Sequence, residues 1–113
     1  RDTIEVKPYE PLDPAWVRDV FGDLADGIFK ENENDVLKTF PPENIKEHWQ
    51  EIRDVIATIP TAEELIDLYT KIGAKHSLAE LDIDESIRGE FLDFSSAIRN
   101  RLTFARMTRL IVK

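Results

Sequence analysis

A chain of 113 residues with 42% hydrophobic and 34% charged side chains is sized for one domain with a modest core. It has no cysteine, which excludes disulfides, thiolate nucleophiles and Cys-type zinc sites. Its net charge of −8 has the wrong sign for gripping a phosphate backbone, so no nucleic-acid partner is expected. None of the four glycines falls in a G-x-G-x-x-G or Walker pattern. No apolar run approaches the ~20 residues of a membrane span. With no charged-then-apolar leader either, the expectation is a cytoplasmic protein without membrane contact.

The charge is unevenly placed. All 23 acidic residues lie in positions 1–93 beside ten Lys/Arg, a net −13, while positions 94–113 hold five basic residues, no acid and a net +5. The basic end can therefore pair with the acidic body.

Residues 1–13 contain Pro8 and Pro11 and a short alternation of Ile4 and Val6 with Glu5 and Lys7. That pattern predicts an extended lead-in with edge-strand character. Residues 14–113 then read as one all-α domain. Asp13 caps a first helix with Pro14 at its first position. Val17, Val20, Phe21, Leu24 and Ile28 keep helical spacing as far as the Asn-rich 31–34. "DVLKTF" (35–40) adds a turn or two before a Pro-Pro pair.

A second helix is predicted over 42–59, with Ile45, Trp49, Ile52 and Ile56 as its buried stripe. "TAEELIDLYTKIG" (61–73) has a Thr61/Glu64 capping box, apolar residues at 65, 68, 69 and 72, and Gly73 placed for a left-handed stop. Ser77 and Glu80 cap a single turn. Asp84 opens a helix to about Arg99 that buries Ile87, Phe91, Phe94 and Ile98, with Gly89 explained by a neighbouring helix packed over it. Thr103 caps a last helix with Phe104, Met107, Leu110 and Ile111 inward and Arg106, Arg109 and Lys113 on the opposite face. The whole predicts five to six helices, antiparallel and bundle-like.

Candidate chemistry is sparse. His48 and Glu51 at i, i+3 supply half a metal site and nothing supplies the rest; His76 follows a glycine turn. The carboxylates of "LDIDES" (81–86) lack the glycine and distal glutamate of a calcium loop, and suit capping and the helix dipole instead. The aromatics sit at core spacing. The residues by themselves indicate no catalysis in this chain, and neither a cofactor nor a metal is expected to bind to it alone.

Three stretches nonetheless carry a resemblance: "IPTAEELIDLYTKIGA" (59–74), "SLAELDID" (77–84) and "AIRNRLTFARM" (97–107). In their order and spacing they resemble the C-terminal helical domain of the iron-containing alcohol dehydrogenase and dehydroquinate-synthase-like superfamily, closest to glycerol-1-phosphate dehydrogenases. "VFGDLADGIFKEN" (20–32) and "HWQEI" (48–52) agree more loosely. Asn100 stands where that family often has an acid, and Leu102 replaces its usual aromatic.

The resemblance implies a larger parent: an N-terminal domain binding NAD(P), and a cleft holding a divalent metal and a polyol phosphate, with this chain as the cleft's far wall. Neither His48 nor His76 matches a ligand motif, so no metal ligand is carried over. Arg99 and Arg101 match the signature. They are expected to brace the last two helices, with contact to substrate phosphate as their sharper role. The alternative is a stand-alone helical binding or dimerisation module without enzymatic activity.

Overall fold

The computed structural model describes all 113 residues and is built from helices. In chain order these are α1 (Pro14–Phe21), α2 (Ala25–Glu31), α3 (Glu43–Glu47), α4 (Trp49–Ala57), α5 (Ala62–Lys71), α6 (Arg88–Ser95) and α7 (Phe104–Met107). Tight 3-10 turns at 22–24, 36–38, 79–81, 85–87 and 108–110 link or extend them.

The start signals act as the residue types require. Asp13 accepts from Ala15 N–H, with Pro14 beside it at the first helical position. At α5 the Thr61 hydroxyl accepts from Glu64 N–H while the Glu64 carboxylate accepts from Thr61 N–H at 2.8 Å, a full capping box. Gly73 takes φ 71° just past the end of α5, the left-handed position that a side chain would strain. Thr103 caps α7 by accepting from Arg106 N–H.

Two predicted helices are divided. The one expected over 14–30 breaks at Gly22, whose φ of 51° ends α1 before the chain re-enters a 3-10 turn and α2. The one expected over 42–59 breaks at His48, where φ −100° and ψ 19° lie outside the helical region. The helix opened by Asp84 starts as a 3-10 turn and stops at Ser95, short of Arg99.

The lead-in is extended and returns to the chain's end. Lys7 N–H donates to Leu110 C=O and Val112 N–H to Glu5 C=O, around an antiparallel bridge between Val6 and Ile111. This pairing buries Ile4 to 5% exposure.

Side-chain packing departs from a single bundle seam. One small cluster joins Val17, Ala25, Ile28 and Ala97, flanked by Trp16, Phe21 and Phe29. A second joins Leu37, Ile45 and Leu110, flanked by Val6, Trp49, Ile52 and Met107. Only 11 residues are buried, and the chain spreads over 43 × 40 × 21 Å with a radius of gyration of 16.5 Å. A compact chain of about 100 residues would have a radius near ~13 Å.

The spread comes from α4, α5 and α6, none of which buries a residue. Ile56, Phe91 and Ile98, expected inside, are exposed, as is Phe104 on α7. The helix expected over Gly89 is also not there: a Cβ at that position would meet nothing within 4 Å.

Two outcomes follow for stability in urea. Gly89→Ala should strengthen α6 by up to about 1 kcal/mol, because space is free and glycine is a poor helix former. Ile4→Ala should cost about 2–4 kcal/mol, the range for emptying a buried aliphatic site. Unfolding midpoints followed by circular dichroism check both, and a lower midpoint for Gly89→Ala would mean that α6 is packed where the structure shows it open.

Candidate functional site

The organising feature is a buried arginine. Arg106, expected on the outer face of the last helix with Arg109 and Lys113, is fully buried. Burying a guanidinium is costly unless each donor is matched. Here Nε donates to Asp35 Oδ1 at 3.2 Å and Nη2 lies 3.1 Å from the same oxygen. Nη2 also donates to Asn32 Oδ1. Nη1 donates to the carbonyls of Ser96 and Arg99, the latter at 2.9 Å.

The partners are satisfied in turn. Asp35 caps the 36–38 turn through Leu37 N–H at 3.0 Å, and its Oδ2 takes Arg109 Nη1 at 3.0 Å and the Tyr9 hydroxyl at 3.4 Å. Asn32 donates from Nδ2 to the carbonyls of Ile28 and Ala97, both at 2.8 Å. No buried side-chain nitrogen or oxygen is left without a partner.

Burial alone would push the Asp35 carboxyl up. The Leu37 N–H and the Arg109 and Arg106 guanidiniums outweigh it and hold its pKa below the ordinary carboxylate range. Tyr9 moves the other way, raised by burial and by the neighbouring Asp35 charge.

This hub fixes the corner that carries Arg99 and Arg101. Arg101 N–H donates to Arg99 C=O at 2.9 Å, a tight three-residue turn centred on Asn100. Asn100 then clamps the turn to the 31–36 segment. Its Oδ1 accepts from Val36 N–H at 2.9 Å, its Nδ2 donates to Asn34 C=O at 2.7 Å, and its own N–H donates to Glu31.

Bracing therefore belongs to Arg106 and Asn100, which corrects the expectation for Arg99 and Arg101. Arg99 reaches only Glu31, at 4.0 Å and with 70% of its side chain exposed. Arg101 is exposed and enters no ion pair. What the structure does bring together is two solvent-facing guanidiniums on a turn locked from behind.

The histidines stay apart from this corner. His48 Nδ1 lies 3.2 Å from Glu51 on an exposed surface. His76 lies 3.8 Å from Glu80 and 3.5 Å from the Thr70 hydroxyl. Glu80 is occupied with the N–H groups of His76 and Ser77 and with the Ser77 hydroxyl, which hold its pKa down. Asp84 is likewise lowered by the Ser86 N–H it caps. No three His, Asp or Glu side chains form a group that could hold a metal ion.

No family model matches the sequence, and neither a curated protein nor a solved structure shows significant similarity to it.

Arg106→Ala should cost about 3–5 kcal/mol, since it removes a buried partner from Asp35 and from three other acceptors, Asn32 Oδ1 and the carbonyls of Ser96 and Arg99. Arg101→Ala should stay within about 0.5 kcal/mol, as surface changes do. Thermal melts of the two variants check this, and a large loss in the second would restore Arg101 as a brace.

Asp35 also sets a pH window. Its folded pKa lies below its unfolded value near ~3.9, so its stabilising contribution is full above that value and fades as pH falls through the folded pKa. Urea midpoints should therefore drop as pH falls below about 3.9, and Asp35→Asn should lower the midpoint near neutrality and flatten that drop.

Proposed function

We propose that this chain is the helical wall of a metal-dependent, NAD(P)-linked dehydrogenase of the glycerol-1-phosphate dehydrogenase type, acting on a phosphorylated polyol. The observation that carries the phosphate half of this reading is the Arg99–Asn100–Arg101 turn. Two guanidiniums stand exposed on a backbone that Asn100 and Arg106 hold still. Guanidinium is suited to a phosphate ester because its planar fork donates two parallel hydrogen bonds. A grip mounted on a fixed turn loses little freedom on binding, which favours affinity.

The dehydrogenase half rests on the resemblance of residues 59–74, 77–84 and 97–107. In this reading the nicotinamide and the divalent metal are held by parts of the parent outside this chain, the nicotinamide by its N-terminal nucleotide-binding domain. The metal, where bound, would supply a Lewis acid at the carbinol oxygen. The residues of this chain bind and orient the phosphate end of the substrate, and the −13 body keeps the rest of the surface unattractive to anions.

The test uses the full-length gene product with nickel or zinc and either nicotinamide. Oxidation of glycerol phosphate should exceed that of unphosphorylated glycerol. Replacing Arg99 and Arg101 together by alanine should raise KM for the phosphorylated substrate at least tenfold with little change in kcat, the mark of lost uniform binding. The melting temperature should hold. A product with no nicotinamide-linked activity, or a double variant that affects both substrates equally, would overturn the proposal.

A further inference from the structure

Helix α5 is the cleanest amphipathic helix in the chain, yet it buries nothing. Leu65, Leu68, Tyr69 and Ile72 recur at i, i+3, i+4 and i+7 along one stripe, with exposures of 37%, 55%, 43% and 68%. Neighbouring Ile66 and Ile59 are 46% and 58% exposed. A contiguous apolar surface of this kind marks an interaction site. Leu65 and Tyr69 of the stripe, with Ile66, also line an open groove of about 690 Å³ whose far side includes Leu81, Phe91 and Leu92.

The charges on α5 say what covers the stripe. Glu63 and Glu64 occupy its first turn and Lys71 its last, with Lys75 just beyond. Glu64 and Lys71 stand seven residues apart, which puts them on the same flank of the stripe. Pairing two such helices in parallel would set Glu64 beside the other copy's acidic turn. Antiparallel pairing about a two-fold axis near Leu68 sets Glu64 of each copy beside Lys71 of the other and opposes the helix dipoles. The stripe is then self-complementary, Leu65 against Ile72 and Leu68 close to its own counterpart, as an isologous interface requires.

We propose that α5 is a homodimerisation helix that pairs antiparallel with α5 of a second copy and closes the mouth of the groove. The inference does not require dehydrogenase activity and does not use the Arg99–Arg101 turn, although α5 lies within the 59–74 stretch that carries part of the resemblance. One ten-residue helix per side gives a small interface, so the dimer belongs to the weak class, with Kd in the range of roughly 10–100 μM.

Because the chain has no cysteine, single introduced thiols report the geometry. Sedimentation equilibrium across 5–500 μM should show a monomer–dimer equilibrium in the unaltered chain. Leu68→Glu should weaken it by at least a hundredfold while the circular dichroism spectrum keeps its helical signal. Under mild oxidation Leu68→Cys should cross-link to a covalent dimer. Leu65→Cys should not, alone, but should cross-link when mixed with Ile72→Cys. A monomer throughout the range overturns the proposal. So does equal cross-linking of all three single variants, which would indicate parallel or non-specific association, and so does a dimer that Leu68→Glu leaves intact.

Discussion

A guanidinium taken fully out of water dictates the position of whatever surrounds it. Arg106 sits on a helix of only four residues, so the cost of its desolvation is offset by groups brought in from elsewhere. These come from the end of α2 (Asn32), the following turn (Asp35), and the carbonyls just past α6 (Ser96 and Arg99). Each is at least seven residues away in the chain. The two small apolar clusters lie on either side of this hub, one containing Ile28 and Ala97, the other Leu37 and Leu110. Neither is large enough to orient the other by packing alone. The directional bonds of one planar fork do it instead, and each donor left unmatched in this buried site would carry its own desolvation cost.

Lysine could not take this place. A compact ammonium offers three donors around one atom, whereas the contacts here leave Nε, Nη1 and Nη2 in three directions and reach Asp35, Asn32 and two carbonyls. Asp35 is shared by a second arginine, Arg109, whose guanidinium also lies 5.9 Å from the centre of the Tyr9 ring. The carboxylate thus answers two cations and a turn's N–H at once. The lead-in is drawn into the same system, since Arg109 donates to Glu10 C=O and Tyr9 to Asp35.

The parts legible in the sequence were those written in local chemistry. Asp13–Pro14, the Thr61/Glu64 box, Gly73, Asp84 and Thr103 each act through a neighbour within a few residues, and all five do what their spacing implies. The hub was hidden for the opposite reason. Asp35 and Arg106 are 71 positions apart, and a helical wheel places Arg106 on the polar face with Arg109 and Lys113. Its only trace was the acid-free, Arg-rich final stretch set against an acidic body. Apolar periodicity misled in the middle of the chain. The stripe of α5 is real, but a stripe states that a face seeks cover and not that this chain supplies it.

The consequence is an uneven distribution of order. Residues tied to the hub or to the lead-in pairing bear long-range bonds, and opening the hub leaves the charges of Arg106 and Asp35 without their partners. Between 53 and 95 the ties to the rest are few, Arg53 to Asp2, Phe94 against Trp16 and Phe21, and Asp93 to Lys113, and most of the order comes from caps and i, i+4 contacts that stabilise isolated helices by tenths of a kcal/mol to about one each. Helices of 8–10 residues are marginal on such terms without tertiary cover. Local opening should therefore begin in α5 and α6 and spare the Arg106 corner, the usual arrangement in which binding surfaces come from the low-stability end of a structure. A surface that gains most of its order from what docks on it couples the shape of α5 and α6 to their partner. The Arg99–Arg101 turn, anchored by Asn100 and Arg106, keeps its geometry whether or not α5 is covered.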